Sequence, residues 1–135
     1  MDTTSEYVKM CQEAKEIQAL WPLEDGDFYI PKPSSLQGAV LAFCALCNIK
    51  DSFGNVFIGE QNKGDYIWLP RQDQLQELVK ERGLQSLTWN IYQFTESVSG
   101  GGFTIEGSME QLWLAFVMEE KFGKIWDGEA WTPKR

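Results

Sequence analysis

Residues 108–123 restrict the fold of this chain more than any other stretch. Ser108 favours the N-cap of a helix, and Gln111 three positions later completes a capping-box pattern. Gly123 is typical of a helix end. Residues 112–118 are apolar without interruption, so the helix carries apolar side chains on nearly every side. We therefore predict a helix that is buried in the core and enclosed by other elements.

The length of the chain suits one such core. A chain of 135 residues buries roughly 70% of its unfolded surface on folding. Six Trp and eight Phe provide large apolar side chains for the interior. We predict a single domain, residues 1–135, of the α+β class. In it, three to four helices pack on a small, mainly antiparallel β-sheet, and the helix at 108–123 is the buried C-terminal helix.

The charges and the missing histidine exclude several functions. The net charge is −8, and the twelve basic residues are scattered, so we expect no direct binding of nucleic acid. Because the chain has no histidine, Ser-His and Cys-His nucleophiles and His-containing metal sites are excluded. No apolar run reaches the ~20 residues of a membrane span, and no signal-peptide pattern is present. We therefore expect a cytoplasmic protein without a membrane partner.

The N-terminal residues predict an amphipathic helix. Residues 3–5 offer hydroxyl side chains for an N-cap, and apolar residues recur every three or four positions from Tyr7 to Trp21. Pro22 disfavours the helical conformation at Trp21 and so ends the helix. We predict one helix over residues 1–21, with its charged face in water.

Residues 27–69 predict mainly β structure. Residues 24–27 form an acidic turn, which lacks the alternating oxygen ligands of a calcium loop. Residues 28–30 are a short β-prone run, which we interpret as an edge strand. Residues 56–58 and 66–69 predict the two strands of a hairpin.

The apolar run at 39–47 is ambiguous between helix and strand, and we favour the strand slightly. Cys44 and Cys47 share a face only if the run is helical. Their apolar surroundings do not favour a thiolate. We interpret them as buried structural residues rather than as a redox or metal site. Even with Cys11, a metal site would lack a fourth ligand unless an acid completed it.

Residues 70–123 predict mainly helical structure. Pro70 suits the first position of a helix, whose buried stripe is Leu75, Leu78 and Val79 and which Gly83 closes. The next segment alternates partly like a strand. However, its best periodicity is the helical stripe formed by Leu84, Leu87, Ile91, Phe94 and Val98.

Two segments without helical pattern complete the chain. Residues 99–102, Ser-Gly-Gly-Gly, predict a mobile surface loop, because a phosphate-binding loop needs a Gly-Lys-Ser/Thr ending. Residues 124–135 predict a C-terminal tail that folds back over the core through Trp126 and Trp131. We expect residues 133–135 to be frayed.

Two segments resemble a known group of proteins. Residues 68–77 and 109–118, followed by Gly123-Lys124 and Trp126, are similar to small uncharacterised proteins encoded in phage and prophage regions of Gram-positive bacteria. The resemblance is best in the C-terminal half. It implies a genomic setting and carries no catalytic or ligand-binding residue.

Three functional hypotheses follow. The leading one is a non-enzymatic phage or prophage accessory protein that binds a protein partner of unspecified identity and uses no cofactor or metal. The second is an acidic inhibitor of a nucleic-acid-binding host protein. The third is an enzyme with Glu96 and Glu106 as general acid and base, although two such acids arise by chance among twenty.

The possible interaction surface is the polar side of the helix after Pro70. Its side chains can donate and accept hydrogen bonds, although simple solvation explains the same pattern. The surface comprises Arg71, Gln72, Asp73, Gln74, Gln76 and Glu77.

Overall fold

The computed structural model describes residues 1–24, 26–32, 63–80, 83–100 and 107–134. These residues form five α-helices and two antiparallel sheets of two strands each. The predicted α+β class is confirmed. The chain divides into two compact units. We call Thr3–Pro70 the N-terminal unit, and Met1–Asp2 together with Arg71–Arg135 the C-terminal unit.

The N-terminal helix begins and packs as its pattern predicts. Thr4 is the N-cap of α1 (Ser5–Glu13), and its Oγ1 accepts a hydrogen bond from the Tyr7 amide at 3.3 Å. The predicted apolar stripe is buried along its whole length. Its members are Tyr7, Met10, Cys11, Ala14, Ile17 and Trp21.

The prediction of one continuous helix over residues 1–21 is wrong at Ala14. The backbone of Ala14 leaves the helical region, with ψ at 71°, and α2 (Lys15–Ala19) follows as a separate short helix. At this break the Cys11 carbonyl accepts a hydrogen bond from Gln18 Nε2 at 3.0 Å. A side chain therefore satisfies a carbonyl at the break, as helix ends require.

The sheet of the N-terminal unit joins β1 (Phe28–Pro31) to β2 (Tyr66–Leu69). In this antiparallel pair Phe28 lies opposite Leu69, and Pro31 lies opposite Tyr66. Strands were predicted at both places, and both are confirmed. Residues 56–58, the predicted hairpin partner of β2, lie outside the described residues. The apolar run at 39–47, with Cys44 and Cys47, lies outside them as well.

The first helix of the C-terminal unit is α3 (Gln72–Glu77), with Arg71 as its N-cap. Pro70 therefore precedes the cap, and its predicted place as the first helical residue is wrong. The reason is that the Arg71 carbonyl accepts the first helical hydrogen bond, from the Leu75 amide at 3.0 Å. Of the predicted stripe, Leu75 and Val79 are buried.

The second helix, α4 (Leu84–Gly100), confirms the helical interpretation of this ambiguous segment. Leu87 and Phe94 of the predicted stripe are buried. The helix continues through Ser99 and Gly100, so the prediction of a loop from residue 99 is wrong for these two residues. The helical hydrogen bonding of α4 extends to Gly100, which the sequence pattern predicts to lie in the loop. Residues 101–106 lie outside the described residues.

The third helix, α5 (Met109–Phe122), confirms the buried helix predicted at residues 108–123. Ser108 Oγ accepts a hydrogen bond from the Gln111 amide at 3.2 Å, and Gly123 ends the helix in the left-handed conformation with φ at 64°. All residues from Trp113 to Met118 are buried. The aromatic core of this unit is built by Phe116, which packs edge-on against Trp113 and Phe94.

The two side chains of the predicted capping box at α5, Ser108 and Gln111, also form hydrogen bonds with Asp2. Gln111 Nε2 donates a hydrogen bond of 2.9 Å to Asp2 Oδ2. Asp2 Oδ2 also accepts a hydrogen bond from Ser108 Oγ at 2.5 Å. The Gln111 side chain is therefore directed to Asp2, because the buried carboxylate of Asp2 needs donors.

The C-terminal residues form a hairpin of β3 (Lys124–Trp126) and β4 (Trp131–Pro133). Trp126 and Trp131 are buried, with ring centroids 5.0 Å apart, as the two tryptophans of the predicted tail should be. The prediction of a frayed end at residues 133–135 is wrong for Pro133 and Lys134. Pro133 lies in β4, and the Lys134 amide donates to the Gly123 carbonyl at 2.7 Å.

Candidate interaction surface

Four of the six side chains of the surface predicted at residues 71–77 take part in contacts within α3 or with residues next to it in the sequence. Arg71 Nε and Nη2 lie 3.0 and 3.3 Å from the two carboxylate oxygens of Asp73. Gln74 Oε1 accepts a hydrogen bond from the Arg71 amide at 3.0 Å, and Glu77 pairs with Lys80. These contacts cap and support α3, which is a structural use of the polar groups.

The exposure of these six residues also differs along the helix. Only Asp73 and Glu77 are exposed, and the other four side chains are half-buried. An interaction surface at α3 stays a prediction, and its two most exposed side chains are the carboxylates of Asp73 and Glu77.

A different surface stands out on α4. Trp89 is 60% exposed and Tyr92 is 53% exposed, and their ring centroids lie 5.9 Å apart. The cause is the helical repeat. Leu87 and Phe94 are directed to the interior, and residues two positions after Leu87 or two positions before Phe94 fall well away from that stripe.

The helix around this aromatic pair carries little charge. Glu96 is its one charged residue, and the remaining polar side chains are Gln, Ser, Thr and Asn. We define the aromatic face of α4 by its exposed residues on the side opposite the buried stripe. They are Gln85, Trp89, Tyr92, Gln93 and Glu96. The combination of aromatic rings with few charges is the composition that distinguishes protein interfaces from the remaining surface.

Trp89 and Tyr92 are functional candidates that the sequence patterns described above do not predict. The signal was present, because both lie off the stripe formed by Leu87 and Phe94 and are spaced i, i+3 on one side of the helix. Aromatic residues were counted as core-forming by composition. The position of each aromatic residue relative to the stripe of Leu87 and Phe94 would have distinguished Trp89 and Tyr92 from the buried aromatic residues.

The proposed acid pair does not form a described site. Glu96 is exposed on the aromatic face of α4, and Glu106 lies outside the described residues. Among the residues that the structure describes, no group of three or more Cys, Asp or Glu side chains is arranged to hold a metal ion. Cys11 is buried and not in a disulfide.

None of the helices in the described ranges has the length and apolar character needed to cross a bilayer. The longest of them is α4, with 17 residues and the polar side chains already described. Comparison with protein-family models, curated proteins and solved structures finds no match to this chain.

Proposed function

We propose that this chain is a non-enzymatic interaction protein that binds a protein partner through the aromatic face of α4. The observation that carries the proposal is the exposure of Trp89 and Tyr92 next to each other on a helix with a single charged residue. Tryptophan and tyrosine are enriched among the residues that contribute most to binding at protein interfaces.

The exposed area of the Trp89 and Tyr92 rings is large enough to contribute to the binding free energy. Burying the exposed half of each ring in a partner contributes about 2 kcal/mol per ring from apolar area alone. Two polar side chains of the same face, Gln85 and Gln93, are exposed and can form hydrogen bonds at the rim of such a contact.

The chemistry of the partner follows from the face. The partner should have an apolar groove that accepts two adjacent rings. Hydrogen-bonding groups should lie along the edge of that groove. Because the face carries one charge, the affinity should change little between low and moderate salt. An acidic inhibitor of a nucleic-acid-binding protein would instead lose affinity steeply as salt is added.

The resemblance of residues 68–77 and 109–118 to phage and prophage proteins supports a partner in a Gram-positive host or in the phage itself. A phage or prophage accessory role is therefore part of the proposal. The partner is sought in the lysate of such a host.

The test compares three forms of the purified protein as bait. The first is the wild-type chain, and the second is Trp89→Ala/Tyr92→Ala. The matched control is Asp73→Ala/Glu77→Ala, which alters the exposed part of the surface predicted on α3. We expect a partner that the wild type and the control retain at low and moderate salt and that the aromatic variant loses. With the purified partner, the Kd should rise by at least about 100-fold for the aromatic variant.

Several outcomes would overturn the proposal. One is a partner that the aromatic variant retains. Another is a partner lost only by the α3 control, which would move the interface to α3. Recovery of no partner above background would also count against it, as would a wild-type dimer that Trp89→Ala/Tyr92→Ala dissociates. Both variants change exposed residues, so circular dichroism should show unchanged folding.

A further inference from the structure

A small pocket in the N-terminal unit has a character opposite to that of the whole chain. Its volume is about 200 Å³, and three lysines, Lys15, Lys32 and Lys63, are among its lining residues. None of the described residues lining the pocket is acidic. The chain has twelve basic residues in total and a net charge of −8. A quarter of its basic residues therefore line one pocket of a protein whose net charge is negative.

The three lysines come from separate parts of the sequence. Lys15 begins α2, Lys32 follows β1, and Lys63 begins a short 3-10 turn that leads into β2. The backbone holds two of these parts together, because the Lys32 amide donates to the Asp65 carbonyl at 2.9 Å. Lys15 Nζ donates to the Gln12 carbonyl at 2.9 Å, and an ammonium group has two further donors for a ligand.

One wall of the pocket is held by the Gln18 side chain. Its Nε2 donates to the carbonyls of Cys11 and Trp68 at 3.0 and 2.9 Å, and its Oε1 accepts from the Trp68 amide at 2.8 Å. These bonds join the helical segment to β2. The pocket is thus bounded by a hydrogen-bonded framework, and the three lysines are among the residues that line it.

We propose that this pocket binds a small anion that carries a phosphate group. Lysine ammonium groups are common phosphate ligands because they are compact positive charges with several donors. The volume lies below the roughly 300 Å³ at which pockets for larger organic ligands begin. It suits inorganic phosphate, pyrophosphate or a small phosphate monoester. This site is separate from the aromatic face of α4 and does not depend on the proposed interaction.

The experiment titrates inorganic phosphate and pyrophosphate into the full chain in a phosphate-free buffer of low ionic strength. Binding is followed by amide chemical shifts and by the increase of the melting temperature with ligand concentration. A small phosphate monoester forms a third arm, which distinguishes a free phosphate ligand from an organic one. We expect saturable binding at one site, with shifts centred on residues around Lys15, Lys32 and Lys63. The affinity should fall as salt is added.

Variants distinguish anion binding in the pocket from a general attraction of anions to positive charge. Removal of one lysine, as in Lys32→Gln, should weaken binding by roughly tenfold. Lys80→Gln removes the same charge from an exposed site in the C-terminal unit and should leave binding unchanged. Ala19→Trp fills the pocket from an exposed position without changing charge and should abolish binding. Trp89→Ala/Tyr92→Ala should bind phosphate like the wild type.

The proposal is overturned by three results. These are no saturable binding of any probe at millimolar concentration, equal loss of affinity in Lys32→Gln and Lys80→Gln, and full binding by a folded Ala19→Trp variant. The last result would assign any anion affinity to exposed lysines outside the pocket. If Ala19→Trp fails to fold, the comparison of the two lysine variants decides the question by itself.

Discussion

Asp27 is completely buried although it ends an acidic surface turn. Its Oδ2 accepts hydrogen bonds from Trp21 Nε1 and from the Glu24 amide, both at 2.8 Å. Trp21 in turn stacks on Trp68, with ring planes 4° apart. The carboxylate therefore fixes the position of an aromatic ring in the core of the N-terminal unit, which is a structural use of an acidic residue.

Replacement of Asp27 by Ala should lower the free energy of unfolding by about 1–3 kcal/mol, because the buried indole donor of Trp21 and the part-buried amide of Glu24 lose their acceptor. Asp27→Asn keeps a side-chain oxygen in nearly the same place and should cost less. Urea denaturation of the two variants at constant m-value measures both effects. Equal losses for Ala and Asn would contradict the role of the oxygen as acceptor.

A substitution of Phe116 tests whether α5 is buried in the core. It is 1% exposed, and its ring lies 5.6 Å from Trp113 and 5.7 Å from Phe94. Phe116→Ala should lower the free energy of unfolding by ~3 to 5 kcal/mol, as truncations of large core residues do. Met109, on the same helix, is 50% exposed. Met109→Ala is the control and should change stability by less than about 0.5 kcal/mol. A small loss for Phe116→Ala would mean that the helix does not form the core.

At the scale of elements, the junction between α1, α2 and β2 depends on one polar side chain. Gln18 makes three hydrogen bonds to backbone groups of Cys11 and Trp68. Gln18→Leu keeps the size of the side chain but removes all three, so we expect a loss of about 2 kcal/mol or more in the free energy of unfolding. Gln12→Leu, a half-buried glutamine of α1, should have a much smaller effect. Similar losses for the two variants would show that the bonds of Gln18 contribute little.

The C-terminal hairpin is tied to α5 by an ion pair between Lys134 and Glu119. The hydrogen bond to Glu119, and next the attraction of its charge, raise the pKa of Lys134 above its ordinary value. Since the pKa is raised in the folded state, the stabilisation is complete below the pKa of the unfolded state. It is lost as pH rises through the folded-state pKa.

Lys134→Gln should therefore lower stability by at most about 0.5 kcal/mol at neutral pH, because Lys134 is half exposed and the pair is screened by water. The difference from wild type should disappear in strongly alkaline solution, where the lysine of the wild type is neutral. Urea denaturation at increasing pH measures this trend, with Glu119→Gln as the control that removes the same pair. A difference that grows with pH would contradict the assigned sign.

At the scale of the whole molecule, the two compact units raise the question of cooperativity. The sequence-based prediction of a single domain implies one unfolding transition, as is usual for domains of this length. Amide resonances from the N-terminal and C-terminal units should then lose intensity at the same urea concentration. Separate midpoints for the two units would mean two domains. Methyl resonances of Ile17 and Leu114, one in the core of each unit, provide an independent reading of the same midpoints.

The sequence by itself determined the class of the fold, the buried helix α5 and the apolar faces of α1 and α4. Each of these depends on caps or on a helical repeat within about twenty residues, so neighbouring positions carry the information. It also separated buried from solvated positions along α1, because a helix that packs on one side must place its apolar residues there.

Only the tertiary structure decided which distant groups meet. Gln111 lies 109 positions from Asp2, and Gln18 lies 50 positions from Trp68. The pairing of β1 with β2 and the presence of Lys15, Lys32 and Lys63 in the lining of one pocket are of the same kind. No local pattern predicts such contacts. The same residue type, such as glutamine, can form hydrogen bonds with a buried backbone group or can face water. The choice between them depends on which donors and acceptors the folded chain brings within hydrogen-bonding distance.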